Sequence, residues 1–141
     1  MPELGDYPLR KYFEALDAGD NDAIFDLFAD NAIYIRPAAP TPDSPELGGL
    51  SVVEGKAALK EYFDRRGVLS LRHYIRASAT EGRHNFVEGV VRVPDVPGIT
   101  DMVFMCHAVF DEDGLICWYA GNVDVVTAEQ AQQIEASRKV W

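Results

Sequence analysis

Four segments in the second half of the chain limit its fold more than any other feature. Arg72 to Ala79, Phe86 to Val93, Met102 to Phe110 and Leu115 to Val125 each have strand character, and only Glu81-Gly82, Pro94 to Gly98 and Asp111 to Gly114 separate them. Links this short favour an antiparallel meander, because a parallel return needs a crossover of a dozen or more residues. A turn centred on Glu112-Asp113 would pair Cys106 with Tyr119, Ala108 with Cys117 and Phe110 with Leu115. A slip of two residues leaves the faces unchanged.

The first half reads as helices. Leu9, Tyr12, Phe13 and Leu16 recur at helical spacing and stop at Ala18-Gly19-Asp20, where glycine can close one helix and aspartate can cap the next. Ile24, Leu27 and Phe28 give that second helix an apolar stripe. A short strand, Ala32 to Arg36, follows and ends at Pro37. From Pro37 to Ser51 four prolines and two glycines suit neither regular element, so a loop is expected over residues 37–51. Leu59, Tyr62 and Phe63 predict a third helix from about Gly55 to Arg66, and Thr127 with Gln130 has capping-box spacing for a short C-terminal helix over 127–139. Helices followed by strands predict one α+β domain over residues 1–141.

Composition removes several classes of function. A chain of 141 residues with 48% hydrophobic and 26% charged residues can bury roughly two thirds of its unfolded surface and needs no staple. The net charge of -10 repels phosphate backbones and anionic lipid, so neither nucleic acid nor a membrane is an expected partner. No apolar stretch approaches the roughly 20 residues that span a bilayer, and no basic, then apolar, leader opens the sequence. A cytoplasmic location is the default expectation.

Alternation along the last hairpin puts Phe104, Cys106, Ala108, Cys117, Tyr119, Gly121 and Val123 on one face. Met105, His107, Val109, Trp118, Ala120 and Asn122 take the other. Both faces are largely apolar, which predicts that the outer one is covered by a second copy, forming a homodimer.

Three stretches at the front carry a resemblance. Tyr12 to Asp20, Leu27 to Ala32, and Gly55 to Leu59 with Tyr62-Phe63 look like the opening of the NTF2-like superfamily, notably its SnoaL-like and ketosteroid isomerase-like branches. Phe110 to Ile116 is similar to that superfamily's last hairpin. The resemblance covers about residues 8 to 125. It implies a cone-shaped (cystatin-like) fold, with three helices on the concave face of a curved antiparallel sheet, enclosing a pocket for a small-molecule ligand.

It also selects the cavity face, placing Tyr12, Tyr34, Arg36, Phe104, Cys106, Tyr119, Gly121 and Val123 at or around the pocket. Ketosteroid isomerases use a tyrosine and a protonated aspartate as an oxyanion hole, and a second aspartate to move the proton. Tyr12 matches the tyrosine, but Arg36 stands at the base position and Cys106 at the acid position. A guanidinium cannot act as that base. In limonene epoxide hydrolase a tyrosine, an asparagine and an aspartate hold the attacking water. Tyr34 matches, whereas Arg36 and Gly121 replace the other two.

Other groups remain for chemistry. Arg36 in an enclosed site needs a carboxylate, from Glu88 or from a ligand. His73 is placed as several superfamily members place a histidine, and suits a general base. His107 reads as an interface residue, Cys106 as a small hydrophobe, and Asp101 and Asp124 as solvated. The histidines and cysteines lack metal-ligand spacing, so no metal site is indicated. The resemblance thus implies a cofactor-independent isomerase, lyase, cyclase or hydrolase for a small apolar oxygenated molecule. The candidate catalytic residues are Tyr12, Tyr34, Arg36, His73 and Glu88. The alternative is a non-catalytic small-molecule-binding or dimeric interaction module of the same fold.

Overall fold

The computed structural model describes residues 4–37, 50–66, 71–92 and 101–126, together with the helical Ala136. Apart from Ala136, the expected helix over 127–139 lies outside these residues, as do all but the ends of the expected loop over 37–51. In chain order the elements are α1 (Arg10–Ala18), α2 (Asn21–Asp26), β1 (Phe28–Pro37), β2 (Leu50–Glu54), α3 (Lys56–Arg66), β3 (Arg72–Glu81), β4 (His84–Arg92), β5 (Asp101–Phe110) and β6 (Ile116–Val126). No helix among the described residues is long and apolar enough to cross a membrane.

Local chemistry sets the helix ends. Gly19 takes φ 66°, and its N–H donates to the Leu16 carbonyl at 3.1 Å while Asp20 N–H donates to Ala15 at 3.0 Å. The Asp20 side chain then accepts from Ala23 N–H at 3.0 Å, capping α2. Both features match the sequence expectation. So does α3, which brings Leu59 and Phe63 into the core, with the Phe63 ring against Phe25 and Tyr34.

The sheet has six strands in the order β2-β1-β6-β5-β4-β3. The meander β3 to β6 is antiparallel as expected, but β1 lies parallel to β6, so the sheet is mixed and not wholly antiparallel. β1 also begins four residues before Ala32, and β2 adds a strand where the loop was expected to end. Register shifts interrupt the β1–β6, β3–β4 and β5–β6 ladders. Such irregularities bend a sheet, and here the curved sheet stays open instead of closing into a barrel.

The β5–β6 register differs from the simplest turn. Cys106 pairs with Gly121 and Ala108 with Tyr119, while the shift between Val109 and Phe110 leaves Cys117 as the extra residue. The slip of two preserves the face of Tyr119 and Gly121. Ile116 becomes fully buried in place of Cys117, whose half-buried thiol donates to the Val109 carbonyl at 3.3 Å.

Candidate functional site

Rows of residues across the strands position the site. Tyr34, Tyr119, Ala108 and Asn85 form one row on the helix-covered face, and Gly121, Cys106 and Val87 form the next. Arg36, two residues beyond Tyr34, falls in the Gly121 row. α1 crosses above them. Its Tyr12 hydroxyl lies 2.9 Å from the Tyr34 hydroxyl, and its ring sits 5.1 Å from that of Tyr119. Tyr34 and Tyr119 stack at 4.9 Å with planes 10° apart. The glycine at 121 makes room for this arrangement, since a Cβ there would lie 3.1 Å from the Tyr119 hydroxyl.

The three phenols are buried and Arg36 is half-buried beside them. Burial, and then the neighbouring Tyr119 and Tyr34, push the Tyr12 hydroxyl well above the ordinary phenol range. Tyr119 is raised likewise by burial, Cys106 and Tyr34. Both therefore stay protonated near neutral pH and can donate hydrogen bonds. Burial also works against the Arg36 charge, but the phenols of Tyr34, Tyr119, Tyr12 and Tyr62 outweigh it, and its pKa is raised. No carboxylate among the described residues pairs with Arg36.

Glu88 is not at this site. It lies opposite Met105 in the β4–β5 ladder, whereas Val87 lies opposite Cys106. Met105 is 63% exposed and Cys106 is buried, so Glu88 belongs to the outer face and, of the two partners considered for Arg36, it is not the one. Phe104 and Cys106 do face the helices. Burial pushes the Cys106 thiol up to about 12, against the opposing effects of the Tyr119 side chain, the Val87 backbone and Arg36. A thiol this basic is inert at neutral pH. Val123 lies opposite Phe104 in the ladder.

His73 is held by a residue that sequence reasoning missed. Asp17, in the last turn of α1, accepts the His73 backbone N–H at 2.9 Å and 3.1 Å, and its Oδ1 lies 2.6 Å from His73 Nδ1. A carboxylate at a helix C-terminus opposes the helix dipole, and Asp17 lies one turn after the buried Phe13. Those two facts were the available signal. With a proton on Nδ1 facing Asp17, Nε2 is left as the basic atom. The ring packs 5.0 Å from Phe13 and 5.5 Å from Phe104.

Two other polar residues are structural. Asp101, expected to be solvated, is buried and accepts from Arg92 Nε at 3.0 Å. The fully buried Asn85 accepts from Leu9 N–H and donates to Ser78 Oγ and the Ala79 carbonyl, fixing α1 to the β3–β4 hairpin. Among the described residues, no group of three or more histidine, cysteine, aspartate or glutamate side chains could hold a metal ion.

No curated protein sequence matches the chain. Among solved structures, an NTF-2 like protein of unknown function from Burkholderia xenovorans LB400 is similar over 89% of this chain and 88% of its own, with 19% identity and a TM-score of 0.61. A protein from Kribbella flavida assigned as a ketosteroid isomerase is similar over 85% and 77%, with 15% identity and a TM-score of 0.60. An LEH-like epoxide hydrolase of Mycobacterium tuberculosis is similar over 83% and 80%, with 16% identity and a TM-score of 0.63. Likeness at such identities is one of fold. The sequence itself decides the family: a family model for the SnoaL-like domain matches residues 9–119, a span that runs from the start of α1 through Asp17, Arg36 and His73 to Tyr119. The chain therefore belongs to the SnoaL-like domain family.

Proposed function

We propose that the protein is a cofactor-independent enzyme for a small, largely apolar, oxygenated molecule. The oxygen of that molecule binds at Arg36, with Tyr12, Tyr34 and Tyr119 around it. The observation that carries this reading is the Arg36 cation, which sits among buried phenols with no carboxylate among the described residues to balance it. An incoming carbonyl, enolate or carboxylate oxygen supplies the missing partner. Isomerisation, elimination and cyclisation next to a carbonyl all pass through such an oxyanion.

His73 serves as the base. Asp17 holds its ring and favours the tautomer in which Nε2 accepts a proton. The His73 row passes through Val91 and Met102, four residues along β5 from the Cys106 row, or about 13 Å of strand. A carbonyl oxygen and its α-proton are near neighbours, so exchange by this pair requires the Arg36 and His73 side chains to reach toward each other over the space between these rows.

Proton exchange tests the reading even while the natural substrate is unidentified. Bicyclic and tricyclic ketones are incubated with the protein in D2O, binding is read by saturation-transfer NMR, and loss of the α-proton signal is timed. Exchange should be accelerated by the native protein and not by His73→Phe. Ketones that bind but exchange no faster than in buffer would sink the enzyme reading. They would favour the alternative, a small-molecule-binding module, which one observation supports: the positions of both borrowed carboxylates hold Arg36 and the inert Cys106.

The proposal extends to assembly. On the outer face Phe86 stacks on His107 at 4.2 Å, His107 meets Trp118 at 5.0 Å, and Phe86 and Met105 are exposed. A second copy covers this face. Sedimentation should give a dimer for the native chain and a monomer for Met105→Glu.

A further inference from the structure

A cavity lies at the opposite end of the fold from His73. It has a volume of about 600 Å³ and opens between the segment leading into α1 and the turns that join β3 to β4 and β5 to β6. That volume is in the range of small-molecule sites. Its walls are pinned: Leu9 N–H donates to Asn85 Oδ1 at 3.2 Å, and Phe110 N–H donates to the Arg83 carbonyl at 2.9 Å. Arg36 does not line it.

Apolar and charged groups are segregated within this cavity. Leu27, Phe110 and Ile116 line it as buried or half-buried residues, whereas Lys11 and Arg83 line it as exposed ones. Neither Lys11 nor Arg83 has an acidic partner among the described residues. The chain has 23 acidic residues against 13 basic ones, so two unpaired cations bordering one apolar hollow is a selective placement. One carboxylate, Asp6, also lines the cavity, and His84 does too, although its Nδ1 is turned to His107 at 2.8 Å. Tyr7 adds a phenol, which burial keeps protonated by raising it to about 12.

We propose that this cavity is a binding site for a small amphipathic anion, with an apolar body against Leu27, Phe110 and Ile116 and a single anionic head between Lys11 and Arg83. The site is separate from the one at Arg36. Tyr12 is the link between them, since it lines the cavity while its hydroxyl contacts Tyr34.

Calorimetric titration with decanoate, and with decan-1-ol as its uncharged counterpart, tests the assignment. Decanoate should bind the native protein, and decanol should bind about tenfold more weakly or worse. The double variant Lys11→Glu/Arg83→Glu alters only exposed side chains and should keep the native melting profile. It should weaken decanoate about tenfold or more and leave decanol unchanged. Arg36→Ala removes any carboxylate binding beneath the sheet and should still bind decanoate at one site per chain. Absence of decanoate binding, equal affinity in the double variant, or loss of binding in Arg36→Ala would each overturn the proposal, the last because it would move the anion beneath the bent sheet.

Discussion

Arg36 and Tyr34 contribute in different ways, and substitution separates them. If Arg36 stabilises an oxyanion, Arg36→Ala removes a preorganised charge from a site poor in water. The expected loss in kcat/KM for α-proton exchange is then about 10²-fold or more. Arg36→Lys should recover part of it, because the charge returns without the planar fork of donors. Equal exchange rates in all three proteins would place the chemistry elsewhere. Tyr34→Phe acts first on stability. It leaves the buried Tyr12 hydroxyl without its 2.9 Å partner, at a cost of about 1–3 kcal/mol in urea unfolding. A change below a few tenths would mean that the Tyr12 hydroxyl finds another partner.

At the scale of elements, Asp17 ties the proposed base to the architecture, because one carboxylate joins α1 to β3 through both the backbone and the ring of His73. Asp17→Ala should cost about 1.5–3 kcal/mol, the usual range for hydrogen bonds to a charged group. Asp17→Asn keeps an acceptor for the backbone N–H, so it should recover most of the stability while still slowing exchange. Recovery of both would make Asp17 purely structural. The meander was legible in the sequence because its links are short and its strands alternate, and α1 and α2 because Gly19 and Asp20 punctuate them. β2 was not legible: five residues after a proline- and glycine-rich run become a strand only through pairing with β1. Nor was the parallel β1–β6 pairing, which no local signal encodes. The face of Glu88 depends on which β4 residue meets Cys106, and residues 93–100 between β4 and β5, although they include Pro97-Gly98, form a link too long for its turn to fix that register. Convergence of Tyr12, Tyr34 and Arg36 was legible through the resemblance, whereas the partner of His73 required coordinates.

For the whole molecule, charge and burial compete over assembly. Each copy carries a formal charge of -10, so in the proposed dimer two copies repel at long range and contact of their outer faces has to offset that repulsion. Salt screens that repulsion within about 10 Å at 0.1 M, so the dimer fraction should rise with ionic strength. Acid acts on the contact itself. His84 Nδ1 and His107 Nε2 lie 2.8 Å apart, and this contact requires one ring nitrogen to be unprotonated. Burial, and then the His84 charge, lower the His107 pKa from its ordinary 6.5. The sign follows: below pH 6.5 an unfolded chain takes up the proton before the native one does. The histidine contribution is therefore complete above pH 6.5 and is lost as pH falls through the lowered native value. Burial under a second copy would lower that value further and extend the loss to the dimer. Acid also neutralises carboxylates and eases the global repulsion, which pushes the other way, so the native chain needs a reference that lacks the titrating ring. His107→Gln supplies one. Between pH 7 and pH 5 at fixed salt, sedimentation should show the native dimer weakening relative to the His107→Gln dimer, and parallel curves for the two would remove His107 from the interface.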